Sequence, residues 1–146
     1  MLSLRKATPA DKPFAYDVRK SAFGDYIRQT FGWDESFQRH FHEQDYDTDT
    51  TDVIVLDGLD IGILRVRRAS DAMHLDQILI LPPYQRRGYG SQLIQNLFEE
   101  CKAANKPLRL QYLADNPVGR LYVRLGFRQT GESPPHLLAE WSPANT

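Results

Sequence analysis

The sequence has few of the residues that staple or anchor a chain. Its 146 residues include one cysteine, Cys101, which excludes an intramolecular disulfide and any cysteine-based zinc cluster. Long apolar runs are missing too. Ile61–Val66 and Ile78–Pro83 fall far short of the roughly 18–20 residues a membrane-spanning helix needs. Met1-Leu2-Ser3-Leu4 leads straight into charge, so neither a secretory nor a transit segment is expected, and the cytoplasm is the expected compartment. Neither sign of charge dominates: 18 basic residues against 19 acidic ones leave a net charge of −1, which argues against a nucleic-acid partner. What is present looks ordinary. With 41% hydrophobic and 25% charged residues the chain reads as one globular domain, residues 1–146.

The periodicities divide the chain into an α+β order. Leu2-Ser3-Leu4-Arg5 alternates like a half-buried strand. Thr8-Pro9-Ala10-Asp11 is a helix start, with a capping residue, a proline at the first helical position and an acid three residues after the cap. Phe14, Val18 and Ala22 then form a stripe of a helix reaching about Phe23. A second helix is expected from Asp34 to about His42, carrying Phe37 and Phe41, after a linker rich in aromatics: Tyr26, Phe31 and Trp33. The acidic tract 43–52 lacks the glycine and the twelfth-position carboxylate of a calcium loop and reads as a hydrated connection. Three strands follow, Val53–Leu56, Ile61–Arg67 and Ala72–Leu81, joined by the turns Asp57-Gly58 and Ala69-Ser70-Asp71.

Ser91–Ala104 is the clearest helix, with Leu93, Ile94, Leu97, Phe98, Cys101 and Ala104 on one face. Leu108–Tyr112 alternates as a strand, and strand–helix–strand implies a right-handed parallel crossover. A last helix opens at Asn116-Pro117 and closes at Gly126, and His136–Trp141 supplies a terminal strand.

The chemically informative stretch is Gln85-Arg86-Arg87-Gly88-Tyr89-Gly90-Ser91, between a strand and the start of an amphipathic helix. Free backbone amides and the helix dipole gather there. Glycine lets a ligand approach the backbone closely, and two arginines add charge. Such a segment can cradle a pyrophosphate or serve only as a loop and cap. It is not a dinucleotide fingerprint, because Leu93 stands where a third glycine or alanine would be needed, and no Gly-Lys-Ser/Thr P-loop exists.

These residues resemble the Gln/Arg-x-x-Gly-x-Gly/Ala loop of the GNAT N-acetyltransferase superfamily. Asn116-Pro117-Val118-Gly119-Arg120-Leu121-Tyr122-Val123-Arg124-Leu125-Gly126-Phe127 is similar to its Asn…Leu-Tyr-x-x-x-Gly-Phe helix, and the order of elements agrees. The resemblance implies a mixed, mostly antiparallel sheet splayed between two parallel strands, with helices on both faces. The splayed pair would be the strand ending at Leu81 and the strand 108–113. Acetyl-CoA would enter there as acetyl donor. Ile78, Leu79 and Ile80 would hold its pantetheine arm, and Gln85, Arg86, Arg87, Gly88, Tyr89, Gly90 and Ser91 its pyrophosphate.

By the same resemblance an amine attacks the thioester directly and Tyr122 protonates the leaving thiolate, although its place on an inner helix face also suits a core aromatic. Asn116 is either the helix cap or a cofactor contact, or both, and Gly119 stands where many members have alanine. Gln111 occupies a frequent position of the family's glutamate base, which leaves Asp76, His74 or ordered water as proton acceptor. His40 and His42 lack a metal-ligand spacing, and Cys101 reads as core. The acceptor amine would lie toward the N-terminal helices, with Tyr26, Phe31, Trp33 and the acidic tract as a rim. A catalytically silent acyl-CoA-sensing module is the alternative. Homodimers are common in such folds, but no seam is legible here.

Overall fold

The computed structural model describes residues 1–30, 32 and 34–143, with the side chains of 22–30 excepted. The elements are β1 (Leu2–Lys6), α1 (Lys12–Thr30), α2 (Glu35–Asp45), β2 (Thr51–Leu56), β3 (Leu59–Arg68), β4 (Met73–Ile80), α3 (Tyr89–Ala104), β5 (Leu108–Leu113), α4 (Val118–Leu125), β6 (Arg128–Ser133) and β7 (His136–Trp141). The seven strands lie in the order β1-β2-β3-β4-β5-β7-β6. Parallel pairing occurs between β4 and β5, while β1–β2, β2–β3, β5–β7 and β6–β7 are antiparallel. This is the mixed α/β architecture expected from the sequence. Among the described residues no helix is long and apolar enough to cross a membrane.

The chain packs as two compact units, the first formed by 1–65 with 77–87 and the second by 66–76 with residues from Gly88 onward. In the first, Asp11 starts the helical region by accepting from the Thr8 amide at 2.9 Å, and it accepts two bonds from Arg5 of β1 at 2.8 and 2.9 Å. The two arginine bonds, together with the Thr8 amide, hold the Asp11 carboxyl well below its ordinary range. α1 runs past the expected end at Phe23 as far as Thr30. Gly24 weakens a helix by about 1 kcal/mol without breaking it, and no proline occurs between Pro13 and Pro82.

Ala15 and Val18 of α1 pack on Ile63 of β3, joined by Phe14, Tyr46, Leu79 and Leu81. The inner face of α2 is polar: Gln38 and His42 are buried, whereas Phe37 and Phe41 are exposed. Phe41 instead lies under the Arg19 guanidinium, 4.7 Å from its ring centre, an arrangement that suits a half-wet aromatic. The β2–β3 turn has positive φ at both Asp57 (51°) and Gly58 (85°), the backbone that an Asp-Gly hairpin favours.

In the second unit α3 buries Leu93, Ile94, Leu97, Phe98 and Cys101 of the predicted stripe, whereas Ala104, in its last turn, is exposed. Phe98 stacks on Trp141 at 4.0 Å and meets Phe127 at 5.7 Å. The Cys101 sulfur lies 3.5 Å from that of Met73, and burial raises its thiol pKa, so it is an inert part of the core. β6 is the element the sequence pattern does not announce. Its burial is low throughout and its register is irregular between Gln129 and Gly131, as suits an edge strand with one paired side.

Two features of the first unit yield tests. A Cβ on Gly62 would stand 2.2 Å from the Leu79 carbonyl oxygen and 3.1 Å from the Ile80 Cα, so β3 carries glycine where β4 approaches. Since the obstructing atoms are backbone, Gly62→Ala must displace the end of β4, at a cost of about 2–4 kcal/mol. Urea denaturation checks this, and a loss below about 1 kcal/mol would show that the strands separate easily.

His42 is buried, its Nε2 is 2.9 Å from the Lys12 carbonyl oxygen, and its ring lies between those of Tyr16 and Tyr46. Burial is the main reason its pKa is lowered. A histidine kept neutral by folding adds stability above its ordinary pKa of about 6.5 and loses it as pH falls from there through the lower folded value. The melting temperature should therefore drop between about pH 7 and 5, and His42→Gln should flatten that acid limb.

Candidate active site

β4 carries four of the expected site residues beyond its paired region. Its parallel register with β5 comprises Met73↔Leu108, His74↔Arg109 and Leu75↔Leu110, although β4 itself continues to Ile80. Leu79 and Leu81 turn to the α1–β3 core, while Ile78 and Ile80 are half-buried. The Leu81 amide donates to the Ile61 carbonyl at 2.8 Å, and a short turn over Pro82–Tyr84 ends the strand. Gln85 then reaches back, its side-chain amide donating to the Ile80 carbonyl at 2.8 Å. That bond ties the loop to the last residue of β4.

Two closely spaced demands on the backbone follow. Arg86 has φ of 63° and Gly88 has φ of 85°. A left-handed arginine costs about 1 kcal/mol or more, whereas glycine meets the same demand at little steric cost. Gly88 is the N-terminal cap of α3, with no side chain to occupy the first amides, and its carbonyl accepts the Gln92 amide at 3.0 Å. The amides of Tyr89, Gly90 and Ser91 stand in the opening turn, where a helix offers no internal acceptors. Gln85, Arg86, Arg87 and Gly88 are exposed, and the Arg87 guanidinium sits 6.0 Å from the Tyr84 ring centre. Exposed arginine charge at the end of the first unit, and uncapped amides with a helix dipole at the start of α3 in the second, are each features that favour an anion.

The second group lies around α4. Asn116 caps the helix: its side-chain oxygen accepts the Val118 amide at 3.0 Å. Tyr122 is 7% exposed and its ring is flanked by Tyr112 at 5.4 Å and Phe127 at 5.6 Å. Burial, and then the neighbouring Tyr112, push its pKa up to about 12. An open groove of about 580 Å³ is lined by Tyr112, Asn116, Pro117, Gly119 and Arg120, among others, and Tyr122 is not part of its lining.

The expected proton acceptors fare differently. Asp76 is clasped by Arg67 across the β3–β4 hairpin through bonds of 2.5 and 3.1 Å, a partner that strand parity alone does not reveal. His74 is half-buried, and Gln111 is exposed in register with Leu138. Phe31 and Trp33, and the side chain of Tyr26, lie outside the described residues, so the expected aromatic rim has no structural account. Of the acidic tract, Asp45 pairs with Arg65 at 2.7 Å and Asp47 accepts the Asp49 amide and the Thr50 hydroxyl at 3.0 and 3.1 Å, as a local connection does. Sequence reasoning passed over Tyr112, whose closeness to Gly119 and Tyr122 depends on contacts between β5 and α4.

A family model described as an acetyltransferase (GNAT) domain matches residues 48–129. No curated protein matches the sequence closely enough to count. Among solved structures, the fold is similar to the PaiA N-acetyltransferase of Thermoplasma acidophilum in complex with coenzyme A. That pair has a TM-score of 0.79 at 15% identity, covering 97% of this chain and 99% of the other. The ribosomal-protein-S18-alanine N-acetyltransferase of Escherichia coli gives 0.71 at 20% identity, over 97% and 94%. Arabidopsis thaliana Naa50, in complex with the bisubstrate analogue CoA-Ac-MVNAL, gives 0.66 at 16% identity, over 97% and 98%. The chain belongs to the GNAT acetyltransferase family, a class of acyltransferases.

Proposed function

We propose that this protein transfers the acetyl group of acetyl-CoA to a primary amine of a small molecule or peptide, by direct attack of the amine on the thioester. The observation that carries the proposal is the glycine-capped start of α3 directly after two exposed arginines. Amides of residues 86–91 and the arginine charges would hold the pyrophosphate, and the backbone of Ile78, Leu79 and Ile80 would hold the pantetheine arm and polarise the thioester oxygen. Two of the similar structures contain coenzyme A or an analogue built on it, which supports acetyl-CoA as the donor. Asn116 uses one acceptor site of its side-chain oxygen on the Val118 amide, which leaves its amide nitrogen and the second lone pair for a ligand.

Tyr122 is the proposed acid. A phenol near 12 facing a thiol near 8.5 makes complete proton transfer uphill by roughly 3.5 units, about 5 kcal/mol. Its first contribution is therefore a hydrogen bond to charge growing on sulfur, with the proton following as the carbon–sulfur bond breaks. For the amine, proton acceptance by Asp76 competes with its two bonds to Arg67. His74 or ordered water is the readier acceptor.

Replacing Arg87 by Ala together with Gly88 by Val removes one charge and forces a β-branched residue to a φ of 85°. Calorimetry should show acetyl-CoA affinity falling by about a hundredfold, and unchanged affinity would remove the phosphate-cradle role.

The activity itself is tested by free-thiol release from acetyl-CoA with a panel of alanine- and methionine-initiated peptides and small aliphatic amines. The one protein thiol is buried and silent in that assay. At least one amine should support release, with Tyr122→Phe lowering kcat by about ten- to a hundredfold and leaving acetyl-CoA affinity nearly unchanged. Thiol release with none of them would favour the silent acyl-CoA-binding module, and an unaltered kcat in the variant would strip Tyr122 of its role.

A further inference from the structure

Gly119 stands in the first turn of α4 with no left-handed backbone to require it. Glycine weakens a helix by roughly 1 kcal/mol relative to alanine, so its presence needs another reason. Space supplies one. A Cβ at this position would lie 2.8 Å from Cε2 of Tyr112 and 3.3 Å from its Cζ and Oη. The ring of Tyr112 fills the room that an alanine methyl would take.

That ring also touches the group proposed as acid. Tyr112 and Tyr122 are 5.4 Å apart and tilted by 58°, while Phe127 meets the Tyr122 ring edge-on at 5.6 Å and 64°. Phe127 is fixed in turn by Phe98, and the Tyr112 backbone is fixed by its register with Leu137 on β7. Tyr122 follows Gly119 by three residues and so lies one turn further along the same side of the helix. Its ring is therefore gripped between one aromatic anchored in the core and one anchored on β5.

We infer that Tyr112 is a positioning residue for Tyr122, seated against α4 by the missing side chain of Gly119. The reaction would gain from such a grip because misplacing a reacting group by about 1 Å costs on the order of a hundredfold in rate. The kinetic part of this inference rests on the acid role of Tyr122; the structural part does not. Because the atoms in the way of an added methyl belong to the free end of a side chain, Gly119→Ala displaces the Tyr112 ring and leaves the fold intact.

The test combines kinetics, using acetyl-CoA and the fastest amine of the panel, with NMR of protein carrying labelled tyrosine, Tyr122 being assigned by its loss in Tyr122→Phe. In Gly119→Ala and in Tyr112→Leu, Tyr122 should leave its single χ1 rotamer or flip its ring faster. Each variant should lower kcat by about tenfold with the acetyl-CoA KM within about twofold. The double variant should lose no more than the poorer single one, because the methyl fills part of the space that the ring vacates. Neither change should cost anything further in Tyr122→Phe. An unchanged rotamer and flip rate for Tyr122 in both single variants would overturn the inference, as would losses that multiply in the double. Should Tyr122→Phe keep full kcat, the acid role falls while the rotamer and flip rate still decide the positioning.

Discussion

A helix cannot begin without leaving its first amides short of acceptors, and the use of this fold depends on where that shortage is placed. Most helices relieve it with a serine, aspartate or asparagine side chain. α2 does so: the Asp34 side chain accepts the Phe37 amide at 3.0 Å. α4 does so as well, through Asn116. α3 begins with Gly88, which has nothing to offer. Among these three starts, the one left without a side-chain acceptor is the one that follows Arg86 and Arg87. Leaving it so costs stability in the ligand-free protein, and in the proposed role an anion would complete the helix.

The residues that precede α3 are held by contacts within the first unit. The support is built from backbone. Leu81 bonds to the Ile61 carbonyl, Gln85 bonds back to the Ile80 carbonyl, and Gly62 lets β4 lie close against β3. Leu79 and Leu81 anchor the same stretch in the core of the first unit. The strand that precedes the loop is held from its side and its end, and the loop inherits its position from those contacts.

What was legible in the sequence follows from how local each signal is. The α3 stripe and the Asp57-Gly58 turn are each written within a few residues and are found as expected, except that Ala104 is exposed and α3 starts at Tyr89, two residues before the expected Ser91. β6 was not legible because an edge strand of Arg128-Gln129-Thr130-Gly131-Glu132-Ser133 has almost no buried face to create a period. The inner face of α2 was not legible either: its two phenylalanines are exposed while Gln38 and His42 are buried, and the contacts of His42 with Lys12 and Tyr16 of α1 are not encoded in the spacing of α2. The Arg67 clasp on Asp76 and the fit of Tyr112 over Gly119 were hidden for the same reason, since each joins residues from different elements.

The environment of Tyr122 bears on what kind of acid this fold can hold. Burying a phenol among rings raises its pKa, which makes it a poorer proton donor at rest and keeps it protonated throughout the neutral range. In water such a donor would be nearly useless against a thiolate. In the proposed role a thiolate developing beside Tyr122 and away from water would change the comparison, because the medium that disfavours a phenolate also disfavours a thiolate. The two penalties would then offset, and the uphill gap of roughly 5 kcal/mol set by a free thiol would narrow with burial of the leaving group. Orientation then matters more than intrinsic acidity, because a neutral hydroxyl stabilises a growing negative charge only along the line of its own O–H bond. A ring flanked by Tyr112 and Phe127 suits that proposed role without a charged partner.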